Sequence, residues 1–152
     1  QLKMLKKNII ILSLILFLSN CGFTPIYLKN KNINFSIEQI EYTGDRDLNN
    51  YLKTNLDKYR DKTNNNKIFM KAETKYEKNV FSKDSTGKIS SYQLKVETIF
   101  LIKSTNKKII IIEKKIINSM DDKFEETRYE KSLKQSFAYS ISNKLISELI
   151  AN

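Results

Sequence analysis

SYQLKVETIFLIK, residues 91–103, is the clearest β-strand pattern in this 152-residue chain. Apolar and polar residues alternate through it, and residues two apart lie on the same face of a strand. The pattern predicts a half-buried strand. Its inward face would be formed by Tyr92, Leu94, Val96, Thr98, Phe100 and Ile102.

The stretches on either side also predict strands. Residues 68–80 alternate in the same way, and residues 108–119 are rich in β-branched residues, with isoleucine at each of positions 109–112. Short polar segments, residues 82–88 and 104–107, separate the three strands and are typical of turns. Consecutive strands joined by short turns predict an antiparallel meander.

The region before the meander predicts one strand and one helix. Residues 33–42 begin with strand alternation, and its phase changes near Glu38, which indicates a β-bulge. Residues 45–63 have helical spacing, with Asp45 or Asp47 as the N-cap. The three asparagines at 64–66 would end this helix.

The last segment, residues 122–151, predicts a long amphipathic helix. Residues 127–130 have the form of a capping box. The apolar stripe recurs every four residues and contains Tyr129, Leu133, Phe137, Ile141, Leu145 and Leu149. The polar face would contain Lys131, Lys134, Gln135, Asn143 and Lys144.

The predicted order of elements is therefore β-α-β-β-β-α. A sheet with one apolar face needs one covering layer, and two helices with one apolar stripe each supply it. We predict an α+β fold: a two-layer sandwich in which two helices cover a four-stranded, mostly antiparallel sheet. The apolar stripes are then core, which needs no cofactor to explain it.

The N-terminal segment has the layout of a bacterial lipoprotein signal. Lys6 and Lys7 precede an apolar run of about ten residues, and Ser19, Asn20 and Cys21 follow it. The run is half the roughly 20 residues that a membrane-spanning helix needs. An uncleaved signal anchor and a free buried thiol are the alternatives, since Asn20 stands where such signals usually have Gly, Ala or Ser.

Cys21 is the only cysteine, and we expect it to be the lipidation site, carrying acyl and diacylglycerol groups. The expected organisation is a signal peptide in residues 1–20, a lipidated tether in residues 21–31 and a single α+β domain in residues 32–152. Met4 is a candidate for the natural start, because the chain begins with Gln1. Gly22 follows the cysteine where an aspartate would favour retention in the inner membrane, so we expect sorting to the outer membrane.

The charge of the chain favours anionic partners other than nucleic acid. The net charge is +10, and it falls to +7 without residues 1–20, which contain three lysines and no acidic residue. Export separates the chain from nucleic acid, and only three of its 27 basic residues are arginine, the side chain best suited to bidentate phosphate contacts. The positive charge would still attract anionic lipid head groups or acidic polysaccharides.

The composition argues against an enzyme. The chain has no histidine and one cysteine, which removes histidine-based acid–base catalysis and His or Cys metal clusters. With three glycines and one proline it has no Gly-rich phosphate loop, and no nucleophile motif is present. We expect neither a metal nor a cofactor other than the lipid on Cys21.

A family resemblance follows from the start of the mature chain. Cys21-Gly22-Phe23-Thr24-Pro25-Ile26-Tyr27, followed by β-α-β-β-β-α, resembles the outer-membrane lipopolysaccharide-assembly lipoproteins of the LptE type, and the stretch 119–126 before a long helix also fits. The resemblance covers essentially the whole chain, but only its start is motif-like. It implies a non-enzymatic subunit, lipid-anchored at the outer membrane. Its body would face the periplasm or plug the lumen of a large β-barrel partner that inserts lipopolysaccharide into the outer leaflet.

Lysines on the predicted turns are the candidates for contacts with lipopolysaccharide phosphates. They are Lys83 and Lys88 on the first hairpin, Lys103, Lys107 and Lys108 on the second, and Lys123 before the last helix. In a lysine-rich chain each of them is also explained as solvated surface. The alternative function is an accessory lipoprotein of another envelope lipid-transport complex, which would present the same α+β body to different partners.

Overall fold

The computed structural model describes residues 33–151, which form four strands and two α-helices in the predicted order. The elements are β1 (Ser36–Gly44), α1 (Arg46–Leu56), β2 (Lys67–Lys83), β3 (Ile89–Ile102), β4 (Lys107–Asn118) and α2 (Lys123–Ile150). The predicted signal peptide and tether, Cys21 included, lie outside the described residues, so the division of the chain into three segments stays a prediction.

The four strands form one sheet in the order β1-β2-β3-β4. Strand β1 is parallel to β2, whereas β2–β3 and β3–β4 are antiparallel. The prediction of an α+β fold with a mostly antiparallel sheet is therefore confirmed. The predicted bulge is present as well, since the β1–β2 register shifts between Ile37 and Gln39, which allows both Ile37 and Ile40 to pack on the core side.

The core lies between one face of the sheet and the two helices. Strand β3 provides its centre, with Leu94, Val96 and Phe100 fully buried. The helices cover this face with the buried residues Leu48, Leu52 and Leu56 of α1 and Phe137, Ala138, Ile141, Leu145 and Ile146 of α2. Among the described residues no element covers the opposite face of the sheet, on which Phe69 and Ile110 are exposed.

Helix α1 begins as predicted but ends early. The Asp45 side chain caps it by accepting a hydrogen bond from the N–H of Leu48 (2.9 Å). The helix was predicted to reach residue 63, but it ends at Leu56 and one 3₁₀ turn follows. Arg60 is extended (φ −88°, ψ 110°), and the N–H of Asp61 donates to the buried Ser36 hydroxyl (2.7 Å). This contact with β1 directs the chain back towards the sheet.

Helix α2 begins at Lys123, and the predicted capping box is wrong. Asp122 is the N-cap and accepts hydrogen bonds from the N–H groups of Phe124 (2.8 Å) and Glu125 (3.2 Å). Thr127 lies within the helix and donates to the Lys123 carbonyl (2.8 Å). The observed N-cap lies five residues earlier in the chain than the predicted one, close to the end of β4.

Candidate functional site

The six candidate lysines fall into two groups at opposite ends of the sheet. Lys83, Lys88 and Lys123 surround the β2–β3 turn, and Lys103, Lys107 and Lys108 surround the β3–β4 turn. The 14 residues of β3 separate the two turns. At about 3.3 Å per residue that is roughly 45 Å. The structure therefore does not bring the six lysines together in a single site.

Carboxylates neutralise much of the charge at the β2–β3 turn. The Nζ atom of Lys88 lies 3.0 Å from Asp121, and this hydrogen bond raises the pKa of Lys88. Lys123 lies 3.0 Å from Glu126. Asp84 accepts hydrogen bonds from the hydroxyl (2.7 Å) and the N–H (2.8 Å) of Thr86, which lower the pKa of Asp84 and keep it ionised. Lysines and carboxylates are interspersed at this end.

The β3–β4 turn has the stronger positive charge. Lys103 forms an ion pair with Glu41 of β1. Within residues 33–151, no carboxylate lies within 4.0 Å of the Nζ atoms of Lys107 and Lys108. Asn106 takes the left-handed conformation (φ 53°) that closes the turn directly before this pair. Lys107 and Lys108 can therefore meet an external anion without losing an internal partner.

An ionic network between β2 and α2 was not predicted from the sequence. The Nζ atom of Lys78 lies 3.0 Å from Glu126 Oε1 and 2.8 Å from Glu130 Oε2. The Tyr76 hydroxyl donates to Glu130 Oε1 (2.6 Å), and Lys78 also lies 4.6 Å from the centre of the Tyr92 ring. These contacts join the first turns of α2 to the sheet.

Lys134 extends this network, which makes its predicted place on the exposed face of α2 wrong. Its side chain is only 13% exposed and lies 2.8 Å from Asp45, the residue that caps α1. Its Nζ atom is 4.2 Å from the centre of the Tyr76 ring, a cation–π contact. Lys134 therefore connects α2 to the start of α1 and to β2.

The network follows a repeat of four in α2. Glu126, Glu130, Lys134, Ala138, Ser142 and Ile146 recur at this spacing and are buried or half-buried. This row lies beside the apolar row predicted from the sequence, and its first members contact the sheet. Tyr129, which was predicted to be in the stripe, is 38% exposed instead. The sequence pattern places Ala138 and Ile146 of this row in the apolar stripe but Lys134 on the polar face, because a charged side chain is normally exposed.

The network contains ionised, paired groups that are poor acids or bases at neutral pH. Hydrogen bonding from the Met120 N–H, opposed by burial and supported by Lys123 and Lys78, lowers the pKa of Glu126 to about 2. Burial alone would lower the pKa of Lys78, but its hydrogen bonds to Glu130 and Glu126 raise it. Such groups hold elements together and do not exchange protons near pH 7.

A groove of about 740 Å³ runs between β4 and the second half of α2. Residues 107–112 of β4 form one wall. The other wall is formed by α2 and is lined by Tyr139, Ser140, Asn143, Lys144, Ser147 and Glu148. The groove could not be predicted from the sequence, because it depends on where α2 crosses the edge of the sheet.

Neither of the two helices in residues 33–151 is long and apolar enough to cross a bilayer. In the same residues, no group of three or more acidic side chains is arranged to hold a metal ion.

The fold is similar to that of solved lipoprotein structures. The rare lipoprotein B of Shewanella oneidensis matches with a TM-score of 0.54 and 13% identity, over 77% of this chain and 93% of that one. A minor lipoprotein of Acinetobacter baumannii matches with a TM-score of 0.52 and 15% identity, over 75% and 92% of the two chains. The chain shares the fold of these two lipoproteins. No protein-family model matches the sequence, and no curated protein matches it significantly.

Proposed function

We propose that this chain is an outer-membrane lipoprotein of the LptE type, a subunit of the translocon that assembles lipopolysaccharide at the cell surface. The observation that carries the proposal is the fold shared with two lipoproteins over three quarters of the chain. The lipoprotein signal that ends at Cys21 and the Cys-Gly-Phe-Thr-Pro-Ile-Tyr start support it independently of the fold.

The subunit acts by binding and has no catalytic role in this proposal. Its body plugs a large β-barrel partner, whose lumen is polar and hydrated. The polar surface of the body suits that position, since the exposed side of α1 carries Asn50 and Lys53 and that of α2 carries Lys131, Ser132 and Lys144. The lipid on Cys21 holds the body at the membrane.

Lipopolysaccharide phosphates are the proposed ligand of the basic turns. Lys107 and Lys108 are the strongest candidates, because the described carboxylates leave them unpaired. Lys88, Lys103 and Lys123 each share their charge with a carboxylate, so an anionic ligand would have to compete for them. Lys83 has no such partner among the described residues but lies at the charge-balanced end.

Affinity purification of the tagged, full-length protein from native outer membrane tests the assignment. We expect one large β-barrel to co-purify in equal amounts, and the Cys21→Ala variant to lose it. Recovery of an inner-membrane lipid transporter in place of a barrel would contradict the proposal and favour an accessory lipoprotein of a different envelope complex.

Paired charge reversals test the ligand. We expect Lys107→Glu with Lys108→Glu to weaken lipopolysaccharide binding about tenfold or more, from roughly 0.5 to 1 kcal/mol for each lost phosphate contact and the repulsion added by each carboxylate. The loss should shrink as salt rises, because exposed charges are screened over about 10 Å at 0.1 M. Lys83→Glu with Lys88→Glu should have the smaller effect.

The control is Lys53→Glu with Lys58→Glu, on the exposed side of α1 and the 3₁₀ turn that follows it. It changes the net charge by the same amount at a site without a proposed contact. If all three double variants bind equally, lipopolysaccharide recognises diffuse charge and no turn is its site.

A further inference from the structure

Strand β4 is an edge strand whose outer backbone groups are unpaired among the described residues. The N–H of Ser119 donates to the Ser90 carbonyl (2.9 Å), which fixes the alternation of the β3–β4 ladder. Odd-numbered residues of β4 direct their N–H and C=O groups to β3. The even-numbered residues therefore direct theirs outward; they are Lys108, Ile110, Ile112, Lys114 and Ile116.

The two edges of the sheet differ in how they are protected. Strand β1 is short and carries a bulge at Glu38, and charged residues and bulges keep an edge from pairing with another chain. Strand β4 has 12 regular residues, and its side chains Ile110, Ile112 and Ile116 are 57%, 45% and 48% exposed. A long and regular edge without a bulge is a template for strand addition, and the isoleucines of β4 add an apolar surface between its two lysine pairs.

The groove beside β4 provides room for an added strand. One of its walls is the free backbone of residues 107–112, and the other is the surface of α2. Tyr139 of α2 is 56% exposed and lines the groove. Peptide-binding modules that extend a sheet hold an extended segment in the same way, paired with a strand edge and with alternate side chains in pockets beside it.

The charges on β4 indicate which kind of segment would bind there. Strand β4 carries Lys107, Lys108, Lys114 and Lys115 against Glu113 alone, and the side chain of Glu113 is bound by Lys144 (2.7 Å) and Ser140 (2.6 Å) of α2. A second copy of this chain would place one lysine-rich edge against another. A segment with acidic side chains would find opposite charges along β4, and opposite charges on paired strands stabilise the pairing.

We infer that β4 is a docking edge for an extended acidic segment of a partner protein, which pairs as a fifth strand in the groove between β4 and α2. The alternate side chains of that segment lie beside Ile110 and Ile112 on the open face of the sheet. This role goes beyond the proposed function, since neither seating in a barrel nor phosphate binding requires an added strand.

Site-specific photocrosslinking of the full-length protein in its native envelope tests the inference. The probe is p-benzoylphenylalanine, placed in turn at position 110, 112 or 114, with position 54 on the exposed side of α1 as the control. We expect the three β4 probes to label one acidic partner segment at sites that advance two residues per step, and the control to leave it unlabelled. A ladder of this kind is the signature of a paired strand.

Three substitutions, made with the probe at position 110, test the strand pairing and the charge preference. Ile112→Pro removes an outward N–H without touching the bonds to β3, and it should lower the yield of the adduct at least tenfold. Ile112→Thr keeps the N–H and should retain at least a third of the yield. Lys114→Glu should reduce the yield to less than a third.

Adducts with lipid only, with other copies of this chain, or at scattered sites would overturn the inference, and so would the absence of any adduct. Full yield with Ile112→Pro would overturn it too. If a thermal melt shows that Ile112→Pro unfolds the protein, the two-residue ladder and Lys114→Glu still decide. Loss of the β-barrel in the purification described above leaves this test intact, because the ladder does not depend on which protein supplies the segment.

Discussion

Lys134 is one residue on which the packing of three elements depends. Its ammonium group lies between Asp45 at the start of α1 and the Tyr76 ring of β2. Burial favours the neutral form of Asp45, but hydrogen bonds from the Leu48 N–H and from Lys134 outweigh it and lower the pKa of Asp45. Removal of Lys134 would leave a half-buried carboxylate without its cation.

We therefore expect Lys134→Ala to reduce the free energy of unfolding by about 1–3 kcal/mol, less than the roughly 3–5 kcal/mol for breaking a fully buried ion pair, because both side chains are only half-buried. Lys131→Ala, one turn earlier on the exposed side of the same helix, is the matched control and should change it by no more than about 0.5 kcal/mol. Urea unfolding of both variants measures the difference. Equal small effects would mean that Lys134 is solvated, as its sequence context alone had indicated.

Glu126 predicts how stability depends on pH. Its side chain is 6% exposed, and its pKa of about 2 is below the ordinary value of 4.5. A group with a lowered pKa stabilises the folded state above the unfolded pKa, and that contribution is lost as the pH falls from 4.5 towards 2. At neutral pH the contribution is at most about 3 kcal/mol.

Glu126→Gln should therefore be less stable than the parent at pH 7, and the difference should shrink between pH 4.5 and 2. Urea unfolding at several pH values gives the free energy of unfolding of the variant and of the parent as a function of pH. Curves that stay parallel down to pH 2 would show that the Glu126 carboxylate does not have the lowered pKa.

At the scale of elements, α2 is held by rows of different chemistry. Phe137, 6% exposed, lies in the apolar row that covers the sheet, whereas Leu133 is only half-buried. Phe137→Asp should cost several kcal/mol by placing a carboxylate in the core, and Leu133→Asp should cost less. Gln135→Asp, on the exposed side, should be nearly neutral. Thermal melts rank the three, and equal shifts would show that α2 does not pack by this face.

The strands could be predicted because their determinants are local. The alternation in β3 and the turn residues on both sides of it fix the inward face without reference to the rest of the chain. The end of α1 could not be predicted, because the hydroxyl that holds Asp61 belongs to Ser36, 25 residues away. The network of α2 could not be predicted for a related reason: Glu130 and Lys134 are half-buried because Tyr76 and Lys78 of β2 lie opposite them.

The candidate lysines show that contacts between distant elements also limit the prediction of functional residues. Each residue could be assigned to a turn from the sequence, and the structure has all of them at or beside turns. The partner of each one could not be assigned, because Asp121, Glu41 and Glu126 come from other elements. The distance between the two turns depends on the length of the strand that joins them.

At the scale of the whole molecule, the proposed attachment to a membrane depends on Cys21, which lies outside the described part of the chain. We expect Cys21→Ala to leave the precursor without lipid and away from the outer membrane. Metabolic labelling with a palmitate analogue, followed by membrane fractionation, measures both outcomes. Label that persists on the variant would contradict lipidation at Cys21, and a parent protein found only in the inner membrane would contradict the sorting expected from Gly22.

The parallel pairing of β1 with β2 has a consequence for how the chain folds. Strands β2, β3 and β4 are sequential hairpins, whose contacts close short loops and form quickly. Strand β1 joins the sheet only after the whole of α1 and the loop that follows have been placed, because a parallel neighbour needs a long crossover. Of the four described strands, we expect the one nearest the N-terminus to join the sheet last. Until it docks, β2 is a second open edge, so the partly folded chain is most prone to aggregate during this interval.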